Sequence, residues 1–424
     1  MLALYHKLKH RDFVLLVPLV ALSLYVRLRY FFFLASSGKG FPDAADSQWY
    51  LAYARSLMTD FKIGLHMNDL LYFGYNMLLT VLLMLFKDPV AILFIQAVTA
   101  GLSVILVFKI ARMLFNRTTA VIASILYGYS WDITLWTTYI LTDSFFISLL
   151  LLCVFLLLKS FESGKTAYKA LFVASAAYLF IFRPTGILSL LFILIYIAIR
   201  MDKPKALRFV RRHKYTLGGI AAALVAVGAY ALFGGKLAPL VQSLQYNAKL
   251  VLYNIYARGW VYDQPTPGAI FYKPDYTIDI GNSLILSFLV HNWDHVAAIY
   301  ARRVVAFLGR WVWLTDLSTF GGIKTFVSNM VPTALFVAGF VASIVNGIFK
   351  KASIVWLCIL AIFIFCIVLF IDGMYRYRAP SIPFIAIAVA YGADSVARAA
   401  FAIGKKAIGK LPWKRKSTNL KSGL

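Results

Sequence analysis

Four short stretches carry side chains whose types and spacing could do chemistry. The first is Phe41-Pro-Asp43-Ala-Ala-Asp46-Ser-Gln-Trp-Tyr50. Pro42 and Asp43 read as a helix entrance, and Asp46, Tyr50, Ala54 and Leu57 recur at one-turn spacing on one face. Asp43 and Asp46 are either capping and first-turn acids that favour the helix dipole, or a carboxylate set to take a proton from a hydroxyl or amine. The second is Thr142-Asp143, where Thr142 could cap a helix. Asp143 is then a first-turn acid, or a second carboxylate that orients a substrate or a divalent ion.

The third and fourth are basic. Arg183-Pro184-Thr185-Gly186 reads as a helix–helix corner, and Pro and Gly explain the turn but not the arginine. Asp372-Gly-Met-Tyr375-Arg376-Tyr377-Arg378-Ala-Pro380 sets two arginines among tyrosines. Guanidinium forks match phosphate oxygens; the tyrosines also suit an interfacial aromatic belt, and the arginines could simply snorkel. His66 with Asp69 is a weaker candidate for a metal. A long segment bearing Tyr246, Asn247, Tyr253, Asn254, Tyr256, Arg258, Trp260, Tyr262, Asp263, Asp275, His291, Trp293 and Asp294 suits either sugar stacking or an interfacial lid.

What must position these residues is a membrane. The chain of 424 residues is 61% hydrophobic and 14% charged, far from a soluble domain. Its apolar residues fall in runs such as Phe13–Ala35, Pro89–Ile110 and Ile354–Ile371, long enough to cross a hydrocarbon core as helices. The runs lack the alternation of barrel strands. An all-α polytopic fold follows. The first run is too long for a signal core and lacks a small-residue cleavage site. Cys153, Cys358 and Cys366 all sit inside apolar runs, with no disulfide or metal spacing.

Lys and Arg total 43 against 17 acids. In a membrane chain this excess marks cytoplasmic loops rather than nucleic-acid binding. The clusters His6–Arg11, Lys109–Arg117, Lys159–Lys169, Arg200–Lys214, Lys350–Lys351 and Arg398–Lys421 are therefore assigned to the cytoplasm. Spans are expected near 13–35, 89–110, 117–136, 144–160, 168–182, 185–200, 215–234, 326–348, 353–371 and 378–398, with both termini inside. Residues 36–88 and 235–325 become external, as do the turns at Asp143, Arg183-Pro184 and Asp372–Arg378. Leu70–Phe86 and Val296–Leu314 break the parity of this count and are read as helices lying on or dipping into the outer leaflet. Asp12, Glu162, Asp202 and Asp394 fall inside, and the other thirteen acids fall on the external side or at its boundary. Residues 1–398 form one transmembrane domain and 399–424 a basic tail on the lipid surface.

External acids on the first loop, a second acid at the next external turn and external arginine corners together resemble the GT-C class of membrane glycosyltransferases. More narrowly, the chain resembles the protein O-mannosyltransferase and lipid A aminoarabinose transferase superfamily. Asp46 with Tyr50, Thr142-Asp143, Arg183-Pro184 and Tyr375-Arg376-Tyr377-Arg378 with Pro380 carry the likeness. The resemblance implies a GT-C-like bundle of about 10–12 transmembrane helices with external juxtamembrane helices. It also implies inverting transfer of one sugar from a polyprenyl-phosphate donor on the extracytoplasmic face of a cell membrane. Asp46 would be the base, with Asp43 its competitor; Asp143 would join the catalytic set. Tyr50, Arg183, Tyr375, Arg376 and Arg378 would bind substrate. A divalent cation near the first-loop acids is a further implication; no organic cofactor is. The acceptor could be a glycan, a lipid or a protein. The family's Lys-Pro-Pro type segment is replaced by Asp69–Asn76. Rival readings are a transporter or lipid-linked sugar flippase, and a polysaccharide polymerase or ligase. The first should show midplane ionisable residues and internal repeats; here the acids gather at one face.

Overall fold

The computed structural model describes residues 12–61, 69–201, 203–212, 214–235, 272–308, 317–366 and 376–410, with Ala238, Gln242 and Leu252 besides. Every regular element among them is helical. In lipid this is what backbone hydrogen bonding demands, because a helix satisfies its own N–H and C=O groups.

Helix α1 (Phe13–Ser36) is followed by α2 (Ala45–Thr59), α3 (Phe73–Phe86), α4 (Pro89–Leu102), α5 (Val104–Leu114) and α6 (Arg117–Gly128). Then come a short helix, α7 (Trp131–Leu135), and the long α8 (Thr142–Ser163), α9 (Thr166–Phe182) and α10 (Pro184–Arg200). The chain continues through α11 (Lys203–Arg212), α12 (Lys214–Phe233), α13 (Leu284–His291) and α14 (Trp293–Leu308). It closes with α15 (Phe320–Val345), α16 (Phe349–Ile364) and α17 (Ile382–Lys410). The principal core is built where α8 packs on α4, α5 and α9, and where α17 packs on α6 and α15.

Among the described residues, five helical stretches are long and apolar enough to cross a bilayer: Phe13–Ser36, Pro89–Leu114, Thr142–Ser163, Phe320–Val345 and Ala379–Lys405. Large apolar side chains such as Val17, Phe32 and Phe33 of α1 point outward, as a lipid solvent permits. Against the expected ten to twelve spans, the apolar helices α3, α9 and α10 are shorter. At 17 residues each, α9 and α10 are at the short limit for a crossing. The 14 residues of α3 reach only about 21 Å, short of a hydrocarbon core of about 30 Å.

The expected span 117–136 is corrected. Helix α6 ends at Gly128, and residues 129–141 form short turns and the brief α7. Non-helical backbone at this position is tolerated because buried side chains satisfy it. Gln96 donates its amide to the carbonyls of Thr137 (3.2 Å) and Tyr139 (2.8 Å). Arg27, wholly buried in α1, donates to the carbonyls of Tyr127 and Gly128, both at 3.1 Å. It thereby caps the C-terminus of α6, where unpaired carbonyls and the helix dipole favour a cation.

Polar residues collect at separate ends of the bundle. Asp12 lies 3.8 Å from Arg112 and 3.6 Å from Arg117. Nearby in the chain, Asp394 accepts from Asn116 (2.7 Å), Thr119 (3.2 Å) and Arg398 (3.1 Å). All of these belong to the set that charge counting assigns to the cytoplasm.

Candidate active site

Three helix starts and one turn supply the site. Helix α2 begins at Ala45 with Asp46 in its first turn, and buries Ser47, Tyr50, Tyr53, Ala54 and Leu57. The one-turn spacing read from the sequence is thus the buried face, with Asp46 at its end. Asp143 lies in the first turn of α8. Arg183 is an extended residue between α9 and α10, with Pro184 opening α10. That corner is tight: a Cβ on Gly186 would overlap the Leu179 carbonyl oxygen. Arg376 stands in the turn before Ala379–Ser381, which leads into α17.

These four side chains join in one chain of alternating charge. Arg183 Nη1 donates to Asp143 Oδ1 at 2.7 Å. Arg376 Nε donates to the other oxygen, Asp143 Oδ2, at 2.9 Å. Arg376 Nη1 reaches Asp46 Oδ2 at 2.5 Å. Burial deepens along the series: the Asp46 side chain is 48% exposed, Arg376 15%, Asp143 0% and Arg183 2%. Asp143 has no access to water, and the two arginines supply its charge partners. Burial works against the charge of Arg183 and Arg376, but the carboxylate of Asp143 outweighs it and both stay firmly cationic.

Aromatic rings wall this array. Phe146 and Tyr377 lie 5.0 and 5.7 Å from the Arg183 guanidinium, and Tyr377 also lies 5.4 Å from that of Arg376. Tyr50 packs edge-on against Tyr72 and Tyr75, at 5.5 and 4.9 Å, and Trp49 packs on Tyr72 at 5.8 Å. Burial raises the phenol pKa of Tyr50, Tyr72 and Tyr377, so each stays protonated and able to donate. Among the described residues, the Tyr75 hydroxyl, Thr142 Oγ1, Thr185 Oγ1 and Arg183 Nε are buried without a hydrogen bond. Each is a donor, and buried donors normally have partners.

An apolar groove of about 370 Å³ runs beside α8. Leu78, Leu106, Phe145, Leu149, Tyr178 and Phe182 are among its lining residues. Phe145 follows Asp143 by two residues, and Phe182 immediately precedes Arg183. From Phe145 to Leu152, another lining residue, the groove follows α8 for about 10 Å.

Other expected residues go elsewhere. Asp43 makes local bonds, accepting from the Ala44 N–H at 2.8 Å and the Gln48 amide at 2.5 Å. Asp69 is buried. Arg378 is partly buried beside Arg376, and its carbonyl accepts from the Ser381 hydroxyl at 2.7 Å. His66 and Tyr375 lie outside the described residues, as do the aromatic and amide candidates from Tyr246 to Asp263. Of the later ones, Asp275 and His291 take part in a small cluster around α13 and α14. Asn292 accepts from Asp275 N–H at 2.8 Å, and His291 pairs with Asp279 at 2.7 Å.

Among the described residues no three His, Cys, Asp or Glu side chains group as a metal site. The Asp46–Asp143 pair does not suit a divalent ion, which would have to displace guanidinium groups and sit between two cations. Sequence reasoning missed Trp49, Tyr72, Tyr75 and Phe146. Their signal is faint, since aromatic residues are ordinary in membrane segments, although Trp49 lies within the first quoted stretch and Tyr72 and Tyr75 within Asp69–Asn76.

Residues 73–230 match the family model of the dolichyl-phosphate-mannose-protein mannosyltransferases. Asp143 and Arg183 fall inside that stretch; Asp46 and Arg376 fall outside it. Comparison with curated proteins and with solved structures finds no match.

Proposed function

We propose that this GT-C-class membrane glycosyltransferase moves a single sugar from a polyprenyl-phosphate donor to an acceptor on the extracytoplasmic face. The observation that carries the reading is the Asp46–Arg376–Asp143–Arg183 array, in which a half-exposed Asp46 carboxylate is tied to Arg376 and the buried Asp143 ties Arg376 to Arg183. The donor phosphate fits beside Arg376 and Arg183, where the buried hydroxyls of Tyr75, Thr142 and Thr185 are further donors. The polyprenyl chain fits the apolar groove along α8. The sugar then lies toward Asp46, Trp49 and Tyr72.

Transfer follows from that placement. The acceptor hydroxyl oxygen attacks the anomeric carbon while the carbon–oxygen bond to phosphate breaks. The bonding pair leaves on the phosphate, and Asp46 takes the hydroxyl proton. Attack opposite the leaving group inverts the anomeric centre. The growing charge on phosphate meets Arg376 and Arg183, fixed in advance by Asp143, which is the favourable arrangement for stabilising a transition state. Asp143 acts through the two arginines rather than on the sugar.

The test is donor turnover. Full-length protein in lipid vesicles is given one polyprenyl-phosphate sugar and candidate acceptors, and consumption of donor with release of polyprenyl phosphate is measured. Wild type should consume donor, and Asp46→Asn should lose at least about a hundredfold while remaining folded. Movement of the lipid-linked sugar across the bilayer without its cleavage would instead favour a flippase. Processive chain growth would favour a polymerase.

A further inference from the structure

Asp46 is not placed as a ready base. Its Oδ2 is bonded to Arg376 Nη1, the one link of the four-residue chain that reaches solvent. A carboxylate oxygen so engaged points its lone pair at the guanidinium rather than at an incoming hydroxyl. The other links cannot yield. Both oxygens of Asp143 are bonded, and leaving either arginine would strand a buried charge. Arg376 is held at Nε by Asp143 whatever happens at Nη1.

We infer that Arg376 is a latch on Asp46, released when a phosphate takes the place of the Asp46 carboxylate at Nη1. The inference rests on the donor reading above. Arg376 need not travel, because one anion exchanges for another on a guanidinium already fixed at Nε. The four side chains are neutral as a set, so an arriving phosphodiester competes with their carboxylates for the guanidinium groups, and Asp46 is the one that can rehydrate. Donor binding thereby frees the base, and acceptor meets a working Asp46 only when donor is in place. The released polyprenyl phosphate, a monoester, carries more charge than the donor diester and holds Arg376 until it leaves. Asp46 then closes on Arg376 again. The order of binding is thus donor before acceptor, and the base is withheld from the site that lacks a donor.

Binding of a long-chain polyprenyl monophosphate to the full-length protein in nanodiscs tests this without knowledge of the acceptor. Removing the competing carboxylate should strengthen phosphate binding, so Asp46→Asn should bind about three- to fivefold more tightly than wild type, as expected for a half-exposed ion pair. Asp43→Asn removes a nearby charge that does not bond Arg376, and its affinity should equal that of wild type. Equal or weaker binding by Asp46→Asn, or an equal gain in Asp43→Asn, overturns the latch while leaving the donor reading intact. No binding by wild type overturns both.

Discussion

Asp143 shows how a first-turn acid becomes the hinge of a site. On its own it is a favourable helix-dipole residue. In the fold it has no exposure and ties Arg183 to Arg376 through separate oxygens. Replacing it leaves the buried Arg183 without its anion and Arg376 with Asp46 alone. Asp143→Asn should therefore cost about 3–5 kcal/mol of stability, the range for breaking a buried ion pair from one side. A thermal-unfolding series in detergent would read it, and retention of the wild-type midpoint would refute the assignment. Turnover should fall with it, because both arginines lose their fixed positions. Arg376 and Asp46 are separated by 330 positions in the chain, and no local pattern could pair them. Asp43 and Asp46 show the converse. Both suit a helix entrance, and only the turn of α2 decides which one faces Arg376 and which bonds Gln48.

At the scale of elements, the breaks matter more than the rods. Helix α6 stops at Gly128, and the buried Arg27 of α1 receives its last carbonyls. A charge inside a long apolar run reads in sequence as a tolerated exception; in the fold it permits a helix to end among other helices. Arg27→Met should leave the Tyr127 and Gly128 carbonyls without that donor, at about 1–3 kcal/mol for each buried group left unpaired. Thermal unfolding of the full-length variant measures this, and an unchanged midpoint would show that other groups satisfy α6. The α9–α10 corner works by contact rather than charge, since Gly186 lets the helices close on Leu179 and so sets where Arg183 emerges. Glycine also brings α15 and α17 together: a Cβ on Gly392 would overlap the Leu335 carbonyl oxygen, and one on Gly339 that of Ala388. Small residues of this kind are how helices approach in a membrane.

At the scale of the whole molecule, the two polar ends predict a topology. Lys39, between α1 and α2, and Lys165, between α8 and α9, are both exposed. The three native cysteines are buried and should give little background. In intact cells a membrane-impermeant maleimide should label Lys39→Cys at once, and Lys165→Cys only after permeabilisation. The reverse pattern would turn the array toward the cytoplasm and defeat an extracytoplasmic reaction.

Composition and run length alone determined an all-helical membrane protein, because lipid offers the backbone no other partner. Charge counting grouped Asp46, Asp143, Arg183 and Arg376 on one side, because basic residues between spans set orientation. Tertiary structure alone decided that these four bond to one another, that Asp43 does not join them, and that the span expected at 117–136 is broken at Gly128. Ion pairs across hundreds of residues depend on how helices pack, and the break in α6 depends on a donor carried by another helix. Neither is written in the local order of side chains.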